Sequence, residues 1–221
     1  MIYLYSGTPG SGKSFDVAQQ IYDLLKFSKK KVIANFPINV DVMKPKKRHQ
    51  WLYKILSVIT GKKYIDKNYK SQFFYLPNNL LTPKTLRRIA KVKWEPFKES
   101  QALLVIDECA SIFNCRNWQV NDRSDWILFF QQHRKLGYDV ILVSQSDRLI
   151  DRQIRAFCEY EYKHRNAKNF KMAGRILSLI FGGNCFVIVK YWYGCTERIG
   201  SSFVRFNKKI ASIYDTYKIF E

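Results

Sequence analysis

Gly7-Thr8-Pro9-Gly10-Ser11-Gly12-Lys13-Ser14 fits the Walker A pattern GxxxxGK(S/T) at every fixed position. These residue types at this spacing bind phosphate. The glycines let backbone N–H groups converge on phosphate oxygens, and a helix starting at the end of the run adds its positive dipole end. In such a loop the lysine, here Lys13, contacts the β- and γ-phosphates, and the hydroxyl of Ser14 ligates Mg²⁺. An ordinary glycine-rich turn is the competing reading.

A second pair of chemical groups, Asp107-Glu108, follows the apolar run Ala102 to Ile106. An aspartate at the end of a buried strand holds Mg²⁺ through water, and a glutamate directly after it orients and polarises an attacking water. Alone, such a dipeptide is as readily a solvated strand end; beside a phosphate loop it completes a hydrolytic site. Gln145, just after Asp139 to Ser144, is placed to hydrogen-bond the γ-phosphate or the water. Arg148, Arg152 and Arg155 follow at helical spacing within Ser146 to Phe157, and guanidinium forks on one helix face suit phosphate clamping in cis or from a neighbouring subunit. Among them Arg152 is favoured as a residue acting in trans. His133, next to Arg134, reads as a surface or supporting histidine rather than a base.

These groups need elements that bring them to one edge. Ile2 to Tyr5 is a short apolar and aromatic run stopped by the Gly/Pro turn, and Phe15 to Phe27 carries Val17, Ile21, Leu24 and Leu25 at helical spacing. Further continuous apolar runs are Val32-Ile33-Ala34, Leu103 to Ile106 and Val140 to Val143, as expected of parallel strands covered on both faces. Between the last two, Trp126 to Phe130 lies in a helical stretch that Asp122 or Ser124 caps and Gly137 ends. The alternation predicts an α/β fold with a mostly parallel sheet and helices on both faces. Glu159 to Lys163, Phe186 to Tyr193 and Ser202 to Phe206 predict a β-rich C-terminal elaboration over about 157–221, ending in a short tail from Tyr214 to Phe220.

The 221 residues suit a single domain. Lys and Arg number 38 against 18 Asp and Glu, a formal charge of +20 that the fold does not need and that points to polyanionic partners, nucleic acid or an anionic membrane surface. From Met43 to Gln101, 15 Lys or Arg face three carboxylates, so about 12 of the excess charges lie in what reads as a basic insertion at about 43–101. Within it Thr82-Pro83 is a helix start. Trp51, Leu52, Ile55, Leu56 and Ile59 form an apolar stripe bordered by lysines, suited to packing on its own domain, to a partner helix or to a membrane surface. Trp51, Tyr53 and Tyr64 would stack on bases if single-stranded DNA is the partner. The five cysteines are scattered without a CxxC pair, which argues against zinc and disulfides and for reduced, cytosolic thiols. Met-Ile-Tyr-Leu-Tyr lacks a signal peptide's basic start, and no apolar run reaches the roughly 20 residues of a spanning helix. The expected location is therefore the cytoplasm.

Taken together, the sequence resembles the zonular occludens toxin (Zot) family, which includes the gene I assembly proteins of filamentous phages. The residues that carry this are Met1 to Leu4 leading into Gly7 to Ser14, Asn35-Phe36-Pro37, Val105-Ile106-Asp107-Glu108, and Gln132-His133-Arg134-Lys135 followed by Gly137 to Gln145. The resemblance implies a P-loop ATPase of the additional-strand type, similar to HerA and FtsK motors, in which the strand ending at Gln145 lies between the phosphate-loop strand and the Asp107 strand. It implies ATP hydrolysis with Mg²⁺ to drive phage assembly and extrusion, as a homo-oligomer acting on phage single-stranded DNA or its coat complex at the inner membrane or with membrane assembly proteins. Two other readings stay open: a nucleotide-gated DNA- or membrane-binding adaptor with little turnover, and a small-molecule kinase, which Asp107-Glu108 disfavours because a kinase must exclude water.

Overall fold

The chain opens with β1 (Ile2–Ser6), the phosphate loop and helix α1 (Lys13–Phe27), then β2 (Lys31–Ala34). The computed structural model describes residues 1–43, 69–116, 122–170 and 185–214. Next come β3 (Phe73–Tyr75), α2 (Pro83–Lys93), β4 (Ala102–Ile106), α3 (Arg123–Gln132), β5 (Tyr138–Val143), α4 (Arg152–Arg155), β6 (Tyr160–Asn166), β7 (Cys185–Trp192), β8 (Glu197–Arg205) and α5 (Lys208–Ala211).

All eight strands join one sheet in the order β3-β2-β4-β5-β1-β6-β7-β8. From β3 to β6 every neighbouring pair is parallel, while β7 and β8 return antiparallel as a hairpin with a bulge between Lys190 and Tyr191. β5 lies between β4 and β1, with Leu4 opposite Leu142 and Leu104 opposite Val140. The additional-strand arrangement is thus present, and the fold is that of a P-loop NTPase.

The continuous apolar runs have a simple cause. Along β1, β4 and β5, Ile2, Leu4, Leu104, Val140 and Leu142 face one layer with Leu86, Trp126, Phe129, Phe130 and Ile154. Leu103, Val105, Ile141 and Val143 face the other, beneath Val17, Ile21 and Leu25 of α1 and Ile210 of α5. With both faces covered, alternation of polar and apolar residues disappears, and all five residues of β4 are buried. Thr82 caps α2 by accepting from the Thr85 N–H at 3.2 Å, with Pro83 at the first helical position. Gly137, at φ 77°, ends the segment after α3 with its N–H on Arg134 O at 2.9 Å.

Two expectations need correction. The segment that reads as a basic insertion at about 43–101 is not wholly an insertion, because Phe73–Tyr75 within it forms the parallel edge strand beside β2, Val32 opposite Phe73 and Ala34 opposite Tyr75. Three strand residues are too short for a periodicity signal; pairing with β2 decides them. Nor do Arg148, Arg152 and Arg155 share one helix. Asp147–Leu149 is a 3₁₀ turn capped by Ser146, Ile150 is extended, buried and bridged to Asn114, and Asp151 then caps the four-residue α4 through the Gln153 N–H at 2.8 Å. Two side-chain caps, Ser146 and Asp151, in effect restart the helix.

Asp139, at the start of β5, ties three elements together: it accepts from Lys30, from the Met1 ammonium at 2.6 Å and from Ser100. Burial alone would raise its carboxyl, but the hydrogen bonds from Lys30, the N-terminus and Ser100, with the Lys30 charge, outweigh it and hold it down at about 2. An unfolded aspartate titrates near ~3.9, so the folded value is the lower one, and this stabilisation is complete above about pH 4 and fades as pH falls to about 2. Asp139→Asn is therefore expected to lower the melting temperature at neutral pH, and the gap to wild type should close between about pH 4 and pH 2 in a pH series of thermal melts. A gap independent of pH would mean that the carboxylate charge is not the stabilising feature.

Candidate functional site

The phosphate loop lies between the end of β1 and the start of α1, as its sequence requires. Gly12 is the N-cap of α1 at φ 97°, and Gly7 has φ 146°. Both are hemmed in: a Cβ on Gly7 would lie 2.5 Å from the His164 carbonyl oxygen, and one on Gly12 would lie 2.5 Å from the Phe186 ring. Lys13 is buried, and its Nζ donates to Gly7 O at 2.6 Å and Thr8 O at 3.1 Å, so the lysine closes over its own loop. Burial pushes its ammonium down, opposed by the nearby charges of Glu108 and Asp107. Ser14 sits half-buried on the first turn of α1. Ser11 Oγ is buried with no hydrogen-bond partner among the described residues, a hydroxyl in a phosphate cradle awaiting an acceptor.

At the end of β4, Asp107 is buried and held on all sides. Its Oδ1 accepts the Glu108 N–H at 2.8 Å and its Oδ2 accepts the Tyr214 hydroxyl at 2.6 Å. Its backbone N–H donates to Asn35 Oδ1 at 2.7 Å, and Asn35 Nδ2 donates back to its carbonyl at 2.9 Å and to Asn78 Oδ1 at 2.9 Å. Burial raises the Asp107 carboxyl, while Tyr214, the Glu108 N–H and Lys13 counter it. A carboxylate fixed this firmly keeps lone pairs for a metal-bound water, since each oxygen accepts more than one hydrogen bond. Glu108 is exposed and has a left-handed backbone at φ 47°, ψ 42°, unusual for a residue with a side chain. The strain is held by Ser111, whose N–H and Oγ donate to the Glu108 carbonyl at 2.9 and 2.8 Å.

The Gly7 N–H donates to Gln145 O at 3.3 Å, which puts the end of β5 against the start of the loop; the Gln145 side chain is exposed. Lys13 and the Asp107-Glu108 pair thus come together, with Gln145 alongside. Arg148 and Arg152 are exposed, whereas Arg155 pairs with Asp147 at 3.3 Å. His133 is buried, its Nδ1–H donating to Phe130 O at 2.6 Å, and burial lowers its pKa. It is a buried supporting residue and not a surface one. Trp51, Tyr53, Tyr64 and the stripe from 51 to 59 lie outside the described residues, as does the tail beyond Tyr214.

Residues 1–217 match the family model for zonular occludens toxin. The chain belongs to the Zot family. Its curated relatives include the Gene 1 proteins of Enterobacteria phage I2-2 and Salmonella phage IKe, each 34% identical over 132 residues, and that of Enterobacteria phage M13, 30% identical over 132 residues. These alignments take in 56% of this chain but only 36–38% of the relatives, so the chain spans little more than a third of their length. Among solved structures, the N-terminal domain of zonular occludens toxin from Neisseria meningitidis superposes with a TM-score of 0.52 at 16% identity, covering 97% of this chain and 98% of that one. The DNA-packaging ATPase B204 of Sulfolobus Turreted Icosahedral Virus gives 0.52 at 15% identity, over 91% and 95% of the two chains. FlaH, a flagellar accessory protein of Methanocaldococcus jannaschii, gives 0.52 at 13% identity, over 95% and 86%. At such identities these structures attest the fold.

In this Zot-family chain several supporting residues escape a motif-based reading. β6 braces the loop from below: Glu161 Oε1 accepts the Ser6 hydroxyl at 2.6 Å, the His164 ring pairs through Nε2 with Asp16 Oδ2 at 3.0 Å, and Asn166 Nδ2 donates to Gly10 O at 3.3 Å. Polar residues inside elements with an apolar face, Asp16 in the first turn of α1 and Glu161 and His164 in β6, were the available signal, because such groups need partners once buried. Tyr214 offered none: it reaches Asp107 across 107 positions of sequence and packs on Phe36 with ring centroids 4.2 Å apart.

Proposed function

We propose that this chain is the Mg²⁺-dependent ATP-hydrolysing domain of a filamentous-phage assembly and extrusion motor. The observation that carries the reading is the joint placement of the phosphate loop and Asp107-Glu108 at the same edge of the sheet, on the ends of β1 and β4, with β5 and Gln145 between them. The loop amides and Lys13 bind the phosphates of ATP, and the orphaned Ser11 hydroxyl fits a phosphate oxygen. Ser14 and Asp107 are the residues that would hold Mg²⁺, which supplies charge neutralisation on the phosphate oxygens. Glu108 orients the attacking water and takes its proton, and Gln145 hydrogen-bonds the water or the γ-phosphate. The phage Gene 1 relatives support the setting in phage assembly. A homo-oligomer, phage single-stranded DNA or its coat complex, and membrane assembly proteins or the anionic inner-membrane surface complete the proposal, with the chain peripheral at the cytoplasmic face. Among the described residues no helix is long and apolar enough to cross a membrane. Phosphate release from ATP without an added acceptor, abolished by EDTA, is the expected result; tight ATP binding without release would leave a nucleotide-gated adaptor.

Arg152 is proposed to stabilise transition-state charge in a neighbouring subunit. It is exposed on a short helix following β5, and its neighbour Arg155 is engaged by Asp147. Arg152→Ala alone should lose activity, and mixing it with Lys13→Ala protein should restore part of it, since each variant supplies at mixed interfaces what the other lacks. No recovery in a preparation shown to be oligomeric would exclude action in trans by this residue.

A further inference from the structure

The sheet carries a second chemical surface at the end away from the phosphate loop. In register across three strands, Tyr3 of β1 lies opposite Tyr160 of β6 and Tyr160 opposite Trp192 of β7, while Tyr5 lies opposite Tyr162 and Tyr162 opposite Lys190. Side chains in register share a face, so these form two adjoining rows. The Tyr3 and Tyr160 rings stack at 6.1 Å, Tyr160 and Trp192 follow at 6.1 Å, and Tyr162 stands between Tyr3 and Tyr5 at 5.9 and 5.1 Å. Lys190 Nζ lies over both rows, 4.0 Å from the Tyr160 ring centroid and 5.5 Å from that of Tyr162. Trp192 is 51% exposed, Tyr3, Tyr160, Tyr162 and Lys190 are half-buried, and Tyr5 is buried in the core beneath α1, so it backs the surface without itself being open to a base. Beside them a cleft of about 450 Å³ opens between the rings of Tyr3, Tyr5 and Tyr162 and the last turns of α1 at Gln20, Leu24 and Phe27.

We propose that this face of β1, β6 and β7 is a stacking platform for single-stranded nucleic acid, a deepening that rests on the reading of the chain as a phage-DNA motor. Aromatic rings interleaved with an ammonium match that ligand in both its parts: bases stack on the rings, and the lysine lying over them is available to phosphates. A duplex keeps its base faces inside the stack and cannot use such a surface. A formal charge of +20 gives the long-range attraction that a bare aromatic patch lacks. Nearby carboxylates are largely spoken for: Asp139 is engaged by Lys30 and the N-terminus, and Asp23 accepts from Gln19. Glu159, next to Tyr160, is paired with Arg134, and Glu197, opposite Trp192 on β8, is an exposed negative group at the rim that should oppose a passing phosphate. The rings project from strands rather than from an amphipathic helix, which favours a tracked polymer over insertion into a lipid interface.

The test uses the whole chain and a fluorescein-labelled 20-mer of deoxythymidine, read by anisotropy at moderate salt. Trp192→Ala, at an exposed position, should weaken binding about tenfold, with most of the loss recovered in Trp192→Phe. Lys190→Ala should weaken it about threefold and flatten the salt dependence, and Glu197→Gln should tighten it about threefold. ATP turnover without DNA should stay at the wild-type level in all of these. If the wild type binds the oligonucleotide and all variants bind within about twofold of it, the platform is wrong while the DNA-motor reading stands. If the wild type does not bind the oligonucleotide even at low salt, that reading fails and the platform with it. Should Trp192→Ala lose flotation with anionic vesicles while DNA binding is unchanged, the face is a lipid contact and the proposal is overturned.

Discussion

Glu108→Gln is expected to bind ATP about as tightly as wild type and to release phosphate at least about 100-fold more slowly, the scale on which a positioned general base acts. The amide keeps the size and hydrogen-bonding reach of the carboxylate but cannot accept the proton of an attacking water. Lys13→Ala should fail at an earlier step. Its ammonium both offers charge to the phosphates and holds the loop through Gly7 O and Thr8 O, so its loss removes a charge-assisted contact and loosens the cradle, weakening nucleotide affinity by about 10- to 100-fold. A fluorescent-nucleotide titration with a single-turnover assay separates the two phenotypes. Near-wild-type turnover in Glu108→Gln would assign the water to another residue, for which Gln145 is the nearest candidate by placement.

How much of this could be read beforehand follows from the kind of signal each residue carries. The phosphate loop announces itself because its chemistry depends on local sequence: successive backbone amides must converge, and only a fixed spacing of glycines allows it. Asp107-Glu108 was legible because five buried apolar residues before it set where the strand ends. The resemblance, rather than periodicity, placed β5 between β1 and β4, since apolar runs alone do not order strands. Phe73–Tyr75 was missed because three residues carry no period; the hydrogen bonds to β2 that make it a strand lie 41 positions away, Val32 to Phe73. The arginine segment was misread for the opposite reason. Its spacing fits a helix, but Ser146 and Asp151 are stronger as caps than as helix-interior residues, and burial of Ile150 fixes the break between them. Supporting contacts such as Tyr214 on Asp107 or Asn35 on both sides of the Asp107 peptide are tertiary and leave no trace in spacing.

The brace beneath the loop leads to the second large effect expected. Gly12→Ala should weaken ATP affinity by about 30-fold or more and lower stability, from two separable causes. At φ 97°, an L-residue pays about 1–2 kcal/mol for the left-handed backbone. Its Cβ would also lie 2.5 Å from the Phe186 ring, and overpacking a fixed ring adds about 1–3 kcal/mol. Phe186 is not free to yield, being 8% exposed and packed on Phe15 with centroids 5.7 Å apart. The strain therefore falls on the loop, moving the amides that must converge on phosphate. Gly10→Ala is the control: its φ of 72° imposes the same kind of backbone cost, but nothing lies within 4 Å of the added carbon. Gly10→Ala should then lose clearly less affinity than Gly12→Ala, and Phe186→Leu in the Gly12→Ala background should recover the part due to the clash and leave the part due to φ. Equal losses at Gly10 and Gly12, with no recovery from Phe186→Leu, would mean that β7 does not set the position of the loop. The recovery expected instead ties the C-terminal hairpin mechanically to the nucleotide, since the strand that carries Phe186 under the loop also carries Lys190 and Trp192 on the aromatic face.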